Sequence, residues 1–286
     1  MRLISLIATA LIGMAFAWLI GRDGAQYNGV PVLFICAAIA FAINWLAFVP
    51  AWFARTEKFY DLTGAITYFS VIATAVVLSG TQSAPALVVA AMVVLWCLRL
   101  GSMLFIRVMQ TGEDKRFRAF KVSPLKFLTA WTTQGLWVVI TAACALVVIT
   151  HSSARDFDLL FIVGAAMWAA GLLTESIADR QKNVFRKDPV NQGKFIRSGL
   201  WAWSQHPNYF GEILLWAGIA VIAVPQLQGW SYLALISPVF VYVLLVYISG
   251  INMLDDVAQE RWGDDADYQR YIASTSKLVP LPPKAG

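Results

Sequence analysis

The sequence predicts an all-α fold, a polytopic transmembrane helix bundle of seven or eight helices with no Rossmann domain. Three observations predict it. Hydrophobic residues make up 59% of the 286 residues and charged residues only 14%, against about 25% charged in a soluble domain. The apolar residues gather in runs of about 18 or more, long enough to cross about 30 Å of hydrocarbon as helix. Lys and Arg fall between those runs in an alternating pattern, and no strand leads into a glycine-rich turn.

The runs occur at Leu3 to Ile20, Val30 to Phe53, Leu62 to Leu78, Ala86 to Ile106, Phe127 to Thr150, Leu159 to Ala178, Tyr209 to Val224 and Tyr232 to Leu254. With the N-terminus inside, nineteen of the twenty-two basic residues face the cytoplasm, as short loops require. They are Arg2, Arg55, Lys58, the six from Arg107 to Lys126, the six from Arg180 to Arg197, and Arg261, Arg270, Lys277 and Lys284. Arg22 and Arg155 fall outside and Arg99 lies within a span. The chain is therefore expected to be an integral, multi-pass membrane protein, in the inner membrane if prokaryotic, and to form a single domain over 1–286. The first run follows Arg2 and contains Ala15-Phe16-Ala17, yet it lacks the polar cleavage region of a signal peptide and is expected to stay.

The inside loops explain the net charge of +5, so nucleic acid is not implied. Cys36, Cys97 and Cys144 sit in separate apolar runs, and His151 and His206 are the only histidines. Neither a disulfide framework nor a metal site is expected from that inventory.

Between the second and third runs, Glu57 and Asp61 are four apart and Tyr60 is adjacent, so on a helix they project to one side. Two possibilities stay open for Glu57. It is either a loop carboxylate paired with Arg55 or Lys58, or a carboxyl pressed into an apolar cavity, protonated and able to donate to a carbonyl oxygen. In the fourth run, Arg99 can snorkel or point inward at a phosphate or carboxylate, the commoner fate of a cation in a bundle. Trp96 lies one turn away on the same face. The loop from Thr111 to Arg118 is basic and can attract anionic lipid or an anionic cofactor.

The sixth run ends in Glu175, Asp179, Asn183 and Arg186 at helical spacing, one polar stripe leaving the membrane without interruption. The stretch Gln205-His206-Pro207-Asn208-Tyr209-Phe210-Gly211-Glu212 carries an amide and a carboxylate, four apart, into the first turn of the seventh run. Ionisable groups there are costly enough to be functional by default. Depth is the most informative feature. Glu57, Arg99, Gln134, Glu175, Asn208, Glu212 and Asn252 come from different runs, yet all fall in the cytoplasmic third, and the outer half is nearly all apolar. A transporter or channel would place such groups at the midplane or along a full path. An enzyme joining a lipophilic substrate to a soluble cytoplasmic cosubstrate fits better.

The C-terminal half, residues 170–286, resembles the steroid 5-alpha-reductase family and related membrane sterol reductases. The matching pieces are Glu175 with Asp179, then Arg186, Lys194 to Arg197, Ser198-Gly199-Leu200-Trp201, and His206-Pro207-Asn208-Tyr209-Phe210-Gly211-Glu212. Weaker similarity continues at Tyr268 and Tyr271, and upstream at Glu57 and Arg99. The resemblance implies NADPH-dependent reduction of a carbon–carbon double bond conjugated to a ketone, most simply in a 3-oxo-4-ene steroid. It implies that Glu175, Asp179, Arg186, Lys194, Arg197, Asn208, Tyr209 and Glu212 contact NADPH, with Arg99 assisting at a phosphate. It implies Glu57 as the proton donor, with Tyr60 a second candidate and Trp96 shaping the pocket. The substrate would be a hydrophobic small molecule entering from the bilayer, and the protein a monomer among membrane lipid. The alternative is a membrane methyltransferase of the isoprenylcysteine type using S-adenosylmethionine, since those enzymes also lead a His-Pro sequence into a helix bearing a Glu.

Overall fold

The structure, a computed structural model, describes residues 2–114, 117–151 and 156–283. Lys115, Arg116, Arg155 and Lys284, all counted in the charge alternation, lie outside the described residues, as does the side chain of Arg2. The chain is helical almost throughout. Its helices are α1 (Arg2–Gly21), α2 (Val32–Phe53), α3 (Tyr60–Ser79), α4 (Ala84–Thr111), α5 (Pro124–Thr141), α6 (Ala143–Thr150), α7 (Leu159–Lys187), α8 (Pro207–Ala223), α9 (Ile236–Val243), α10 (Ile251–Trp262) and α11 (Ala266–Ser274). A short antiparallel pair, β1 (Gln26–Tyr27) and β2 (Val30–Pro31), joins α1 to α2.

Among the described residues, seven helical segments are long and apolar enough to cross a membrane, or eight if α5 and α6 make one span. The expected bundle of seven or eight spans is thus the observed architecture, and the chain is an integral membrane protein. Three differences from the apolar runs have simple causes. The fifth run is two helices bent by 53°. Helices α4 and α7 continue beyond their runs to Thr111 and Lys187, because a charged sequence goes on hydrogen-bonding as helix until something stops it. Gly112, in a positive-φ conformation (φ 84), stops α4, and Pro189 follows α7. The last run is interrupted by a π-helical turn at Leu244–Ile248 before α10 begins.

The chain divides into two compact units. The first holds residues up to Phe161 together with Ile222–Ser237. Here α2 packs on α1, α3 and α5, and α3 on α4. All eight residues of α6 are buried. The fully buried Asn44 on α2 donates from Nδ2 to Thr67 Oγ1 on α3 at 3.3 Å and to Ala40 O at 2.8 Å, which satisfies the donor side of an amide that would otherwise be expensive in hydrocarbon. The three cysteines are free and buried.

The second unit holds Ile162–Val221 and Pro238–Gly286. Its organising contact is the crossing of α7 and α8. A Cβ built on Gly218 would lie 2.5 Å from Gly164 O, and one on Gly211 would lie 2.6 Å from Gly171 O and from Glu175 N. A Cβ on Gly171 would lie 2.5 Å from Gly211 O. The glycines pair in antiparallel order, seven residues apart on each helix, so two backbones touch where side chains would hold them apart.

Candidate functional site

That close approach puts the polar end of α7 against the first turn of α8. Glu175 is 2% exposed and Asp179 is 8% exposed. Asn208, at the second residue of α8, donates from Nδ2 to Asp179 Oδ1 at 3.2 Å. Glu212 follows Asn208 by one turn on the same face, and both are half-buried, as is Tyr209.

The segment leading into α8 is pinned on two sides. On the α7 side, Leu200 N donates to Gln181 Oε1 at 2.9 Å and Trp201 Nε1 to Ala178 O at 3.1 Å, while Lys182 Nζ lies 4.4 Å above the Trp201 ring. Gly199, at φ 62, meets the Gln181 amide so closely that a Cβ would collide with it. On the C-terminal side, Tyr271 OH donates to Trp201 O at 2.7 Å, and Gln205 Nε2 donates to Ile272 O and Thr275 O at 3.1 and 2.8 Å. Ser204 Oγ donates to Leu278 O at 2.7 Å. The weaker similarity at Tyr271 therefore falls on a side chain that holds this segment to α11, while the Tyr268 ring packs on Phe195 and Trp262. Burial pushes the Tyr271 hydroxyl well above its ordinary range.

His206 is a functional candidate that sequence spacing missed. It is 7% exposed, its Nε2 lies 3.2 Å from Asp255 Oδ1, and its ring stacks on Tyr209 at 5.8 Å between centroids. Asp255 Oδ2 in turn pairs with Lys277 Nζ at 2.6 Å. Burial lowers the affinity of His206 for a proton, opposed by the Asp255 carboxylate.

The basic candidates of the second unit are more open. Arg186 lies exposed near the end of α7, and Lys194 is exposed in the loop beyond it. Arg197 approaches Asp267 at 3.6 Å with both side chains about half exposed. The second unit thus holds two buried carboxylates bonded to or near an amide, and three exposed cations. Carboxylates and amides suit hydroxyl and carboxamide groups, and cations suit phosphate.

The remaining candidates lie in the first unit. Glu57 is 3% exposed, and both of its oxygens are engaged: Oε1 accepts from Asp114 N at 2.7 Å and Oε2 pairs with Lys121 Nζ at 2.6 Å. Neither Arg55 nor Lys58 is the partner in that ion pair. Arg55 instead covers the Trp52 ring at 3.7 Å and donates to Lys121 O. Tyr60 donates to Ala130 O at 3.0 Å and packs between Phe117 and Trp131 at 4.6 and 5.2 Å. Trp96, 4% exposed, stands edge-on to Tyr68 at 5.1 Å, and Arg99 is half-buried one turn on. Among the described residues no group of three His, Cys, Asp or Glu side chains could hold a metal ion.

The profile of a family described as "Protein of unknown function (DUF1295)" matches residues 47–275. The chain is 35% identical over 75 residues to 3-oxo-5-alpha-steroid 4-dehydrogenase 1 of Bos taurus, and 33% identical over 75 residues to that of Homo sapiens. Each match covers 26% of this chain and 29% of the relative. It is 34% identical over 68 residues to a protein named "Probable O-methyltransferase ustE" of Ustilaginoidea virens, covering 24% of each chain. The chain thus spans less than a third of the length of the curated relatives it matches, and no solved structure matches it. The resemblance to steroid 5-alpha-reductases drawn from the residues is borne out.

Proposed function

This chain belongs to the DUF1295 family, and from its likeness to the 3-oxo-5-alpha-steroid 4-dehydrogenases we propose that it is an integral membrane reductase using NADPH to reduce a double bond conjugated to a ketone in a hydrophobic substrate. The observation that carries the proposal is the junction of α7 and α8, where Asn208 and Asp179 are bonded at 3.2 Å beside the buried Glu175. It falls in the motif that carries the resemblance to the reductases.

The donor set fits NADPH. Asp179, Glu175 and Glu212 would accept from ribose hydroxyls and the carboxamide, and Asn208 and Tyr209 would fix the polar end of the group. Arg186, Lys194 and Arg197, with Arg99, would neutralise phosphate charge. When bound, the cofactor supplies hydride for the carbon beta to the ketone. The chain must then hold an acid toward the ketone oxygen, where negative charge develops. Glu57 takes that role only after Lys121 releases it, and Tyr60 only after its hydroxyl leaves Ala130 O. Trp96 would shape the apolar wall. A 3-oxo-4-ene steroid, reduced to its 5-alpha-dihydro product, is the substrate that the relatives' names favour. The basic run from Arg180 to Arg197 supports a cytoplasmic side for this chemistry.

One observation favours a second function, transfer of a methyl group from S-adenosylmethionine: the match to the protein named as an O-methyltransferase. The test is consumption of NADPH by the detergent-solubilised protein against a panel of 3-oxo-4-ene steroids and simpler enones. Reduced product in step with NADPH loss is expected. No oxidation with any enone, alongside methyl transfer from S-adenosylmethionine, would replace the reductase by the methyltransferase.

A further inference from the structure

A polar cavity of about 500 Å³ lies in the first unit, at the end where α1 and α6 finish and α2 begins. Its walls come from Asp23 to Ala25, Thr150, His151 and the segment Pro225–Gln228. The basic junction with Arg55, Lys58 and Lys121 lies at the other ends of these helices, so the positive-inside rule puts the cavity at the non-cytoplasmic face.

Most of the backbone donors in the described walls of this cavity are already bonded. Gly24 N donates to Gly21 O, Ala25 N to Thr150 O, His151 N to Val147 O and Leu227 N to Val224 O. Gln228 N donates to Ser231 Oγ at 2.7 Å, and Pro225 has no N–H. Acceptors remain. The Thr150 hydroxyl gives its proton to Leu146 O at 2.8 Å, so its lone pairs face His151 Nδ1 at 3.3 Å. Nδ1 therefore carries the ring proton and Nε2 presents a lone pair. His151 is only 9% exposed, and its Nε2 is buried with no partner. Burial also disfavours protonation of the ring. Gln226 Oε1 is likewise buried without a partner. The Asp23 carboxylate has Arg22 Nε at 3.8 Å, longer than a hydrogen bond. Gly24 makes the ring's position possible, because a Cβ there would stand 2.7 Å from the imidazole.

Two buried, unpartnered acceptors beside a carboxylate call for a guest that is positive and donates several hydrogen bonds. We propose that this cavity binds a primary ammonium group, its N–H bonds directed at His151 Nε2, Gln226 Oε1 and the Asp23 carboxylate. At headgroup depth such a group comes from an ethanolamine lipid or from a soluble amine. A trimethylammonium headgroup has the charge but no N–H, so it is the discriminating control.

Native mass spectrometry of the full chain, with phosphatidylethanolamine and phosphatidylcholine of identical acyl chains, tests the proposal. Retention of phosphatidylethanolamine about tenfold tighter is expected, from charge-assisted hydrogen bonds the choline lipid cannot make. Gln226→Leu and Asp23→Asn should each cut the preference to below about threefold, and His151→Phe should fill the cavity and abolish it. Equal retention of the two lipids by the unaltered chain would overturn the proposal. So would a preference that survives in both Gln226→Leu and Asp23→Asn. Displacement of the bound lipid by free ethanolamine supports the site and assigns recognition to the ammonium alone. An intact preference without displacement supports it with the glycerophosphate sharing in the binding.

Discussion

Replacing Gly211 by Ala tests the contact on which the candidate site is built. The new Cβ would fall 2.6 Å from both Glu175 N and Gly171 O, whereas ordinary contact begins at 3.4 Å. Neither neighbour is a side chain that can swing away, so α7 and α8 must part by about 0.8 Å, an overpacking that costs about 1–3 kcal/mol. The gain in helix propensity, about 1 kcal/mol, offsets part of it. A net loss of up to about 2 kcal/mol lowers the apparent Tm by up to roughly 8 °C at this chain length. The assay is thermal unfolding of the detergent-solubilised protein, with Gly64→Ala as control. There the Cβ would meet only the end of the Gln134 side chain, at 2.8 Å, and a shift within about 1 kcal/mol is expected. A Gly211→Ala protein more stable than the unaltered one would refute the close-packed crossing.

Glu57→Gln should destabilise the chain by about 2 kcal/mol, because Lys121 is left with no carboxylate in a site where the two side chains are 19% and 2% exposed. Lys121→Met separates the roles of that pair: equal loss of turnover in both variants makes Glu57 a staple, whereas loss confined to Glu57→Gln makes it the proton donor. His206 binds its proton less readily when folded than its ordinary value of 6.5 allows, chiefly through burial. Below that value the unfolded chain therefore takes up a proton the folded chain refuses. Stability present above about pH 6.5 should drain as pH falls toward 5, and His206→Gln should flatten part of that slope in a Tm–pH series. Arg186→Glu should weaken NADPH about tenfold or more with little change in Tm, since the residue is exposed and reverses charge at a proposed phosphate contact; unchanged affinity on titration would remove it from the set.

Much of this was legible before any coordinates, for physical reasons. A stretch of hydrocarbon-length apolar sequence has almost no alternative to a helix in lipid, so the runs located the spans. The stripe Glu175–Asp179–Arg186 and the turn beginning at Asn208 could be read because their members recur at helical spacing, as Glu175 and Asp179 do, and Asn208 and Glu212; the bond from Asn208 to Asp179, 29 residues away, could not. Other features depend on distant partners. The pair Glu57–Lys121 joins residues 64 apart, and His206–Asp255–Lys277 forms only when the C-terminal segment folds back on the loop before α8. Arg55 and Lys58, the nearer cations, were the natural partners for Glu57 on sequence distance, and the backbone turn at Arg55, with φ 53, sends it over Trp52 instead. The bend between α5 and α6 has no Pro or Gly to announce it. The glycine crossing did leave a signal: Gly164 and Gly171, and Gly211 and Gly218, repeat at seven residues within apolar runs.

Titration of the purified protein with NADPH, beside S-adenosylmethionine, is the most direct test that the α7–α8 junction grips a phosphate-bearing electron carrier. Saturable binding of NADPH that raises the unfolding temperature, and that Asn208→Ala weakens by about tenfold through the lost amide contact, is the predicted result. Stabilisation by S-adenosylmethionine with none by NADPH would contradict it.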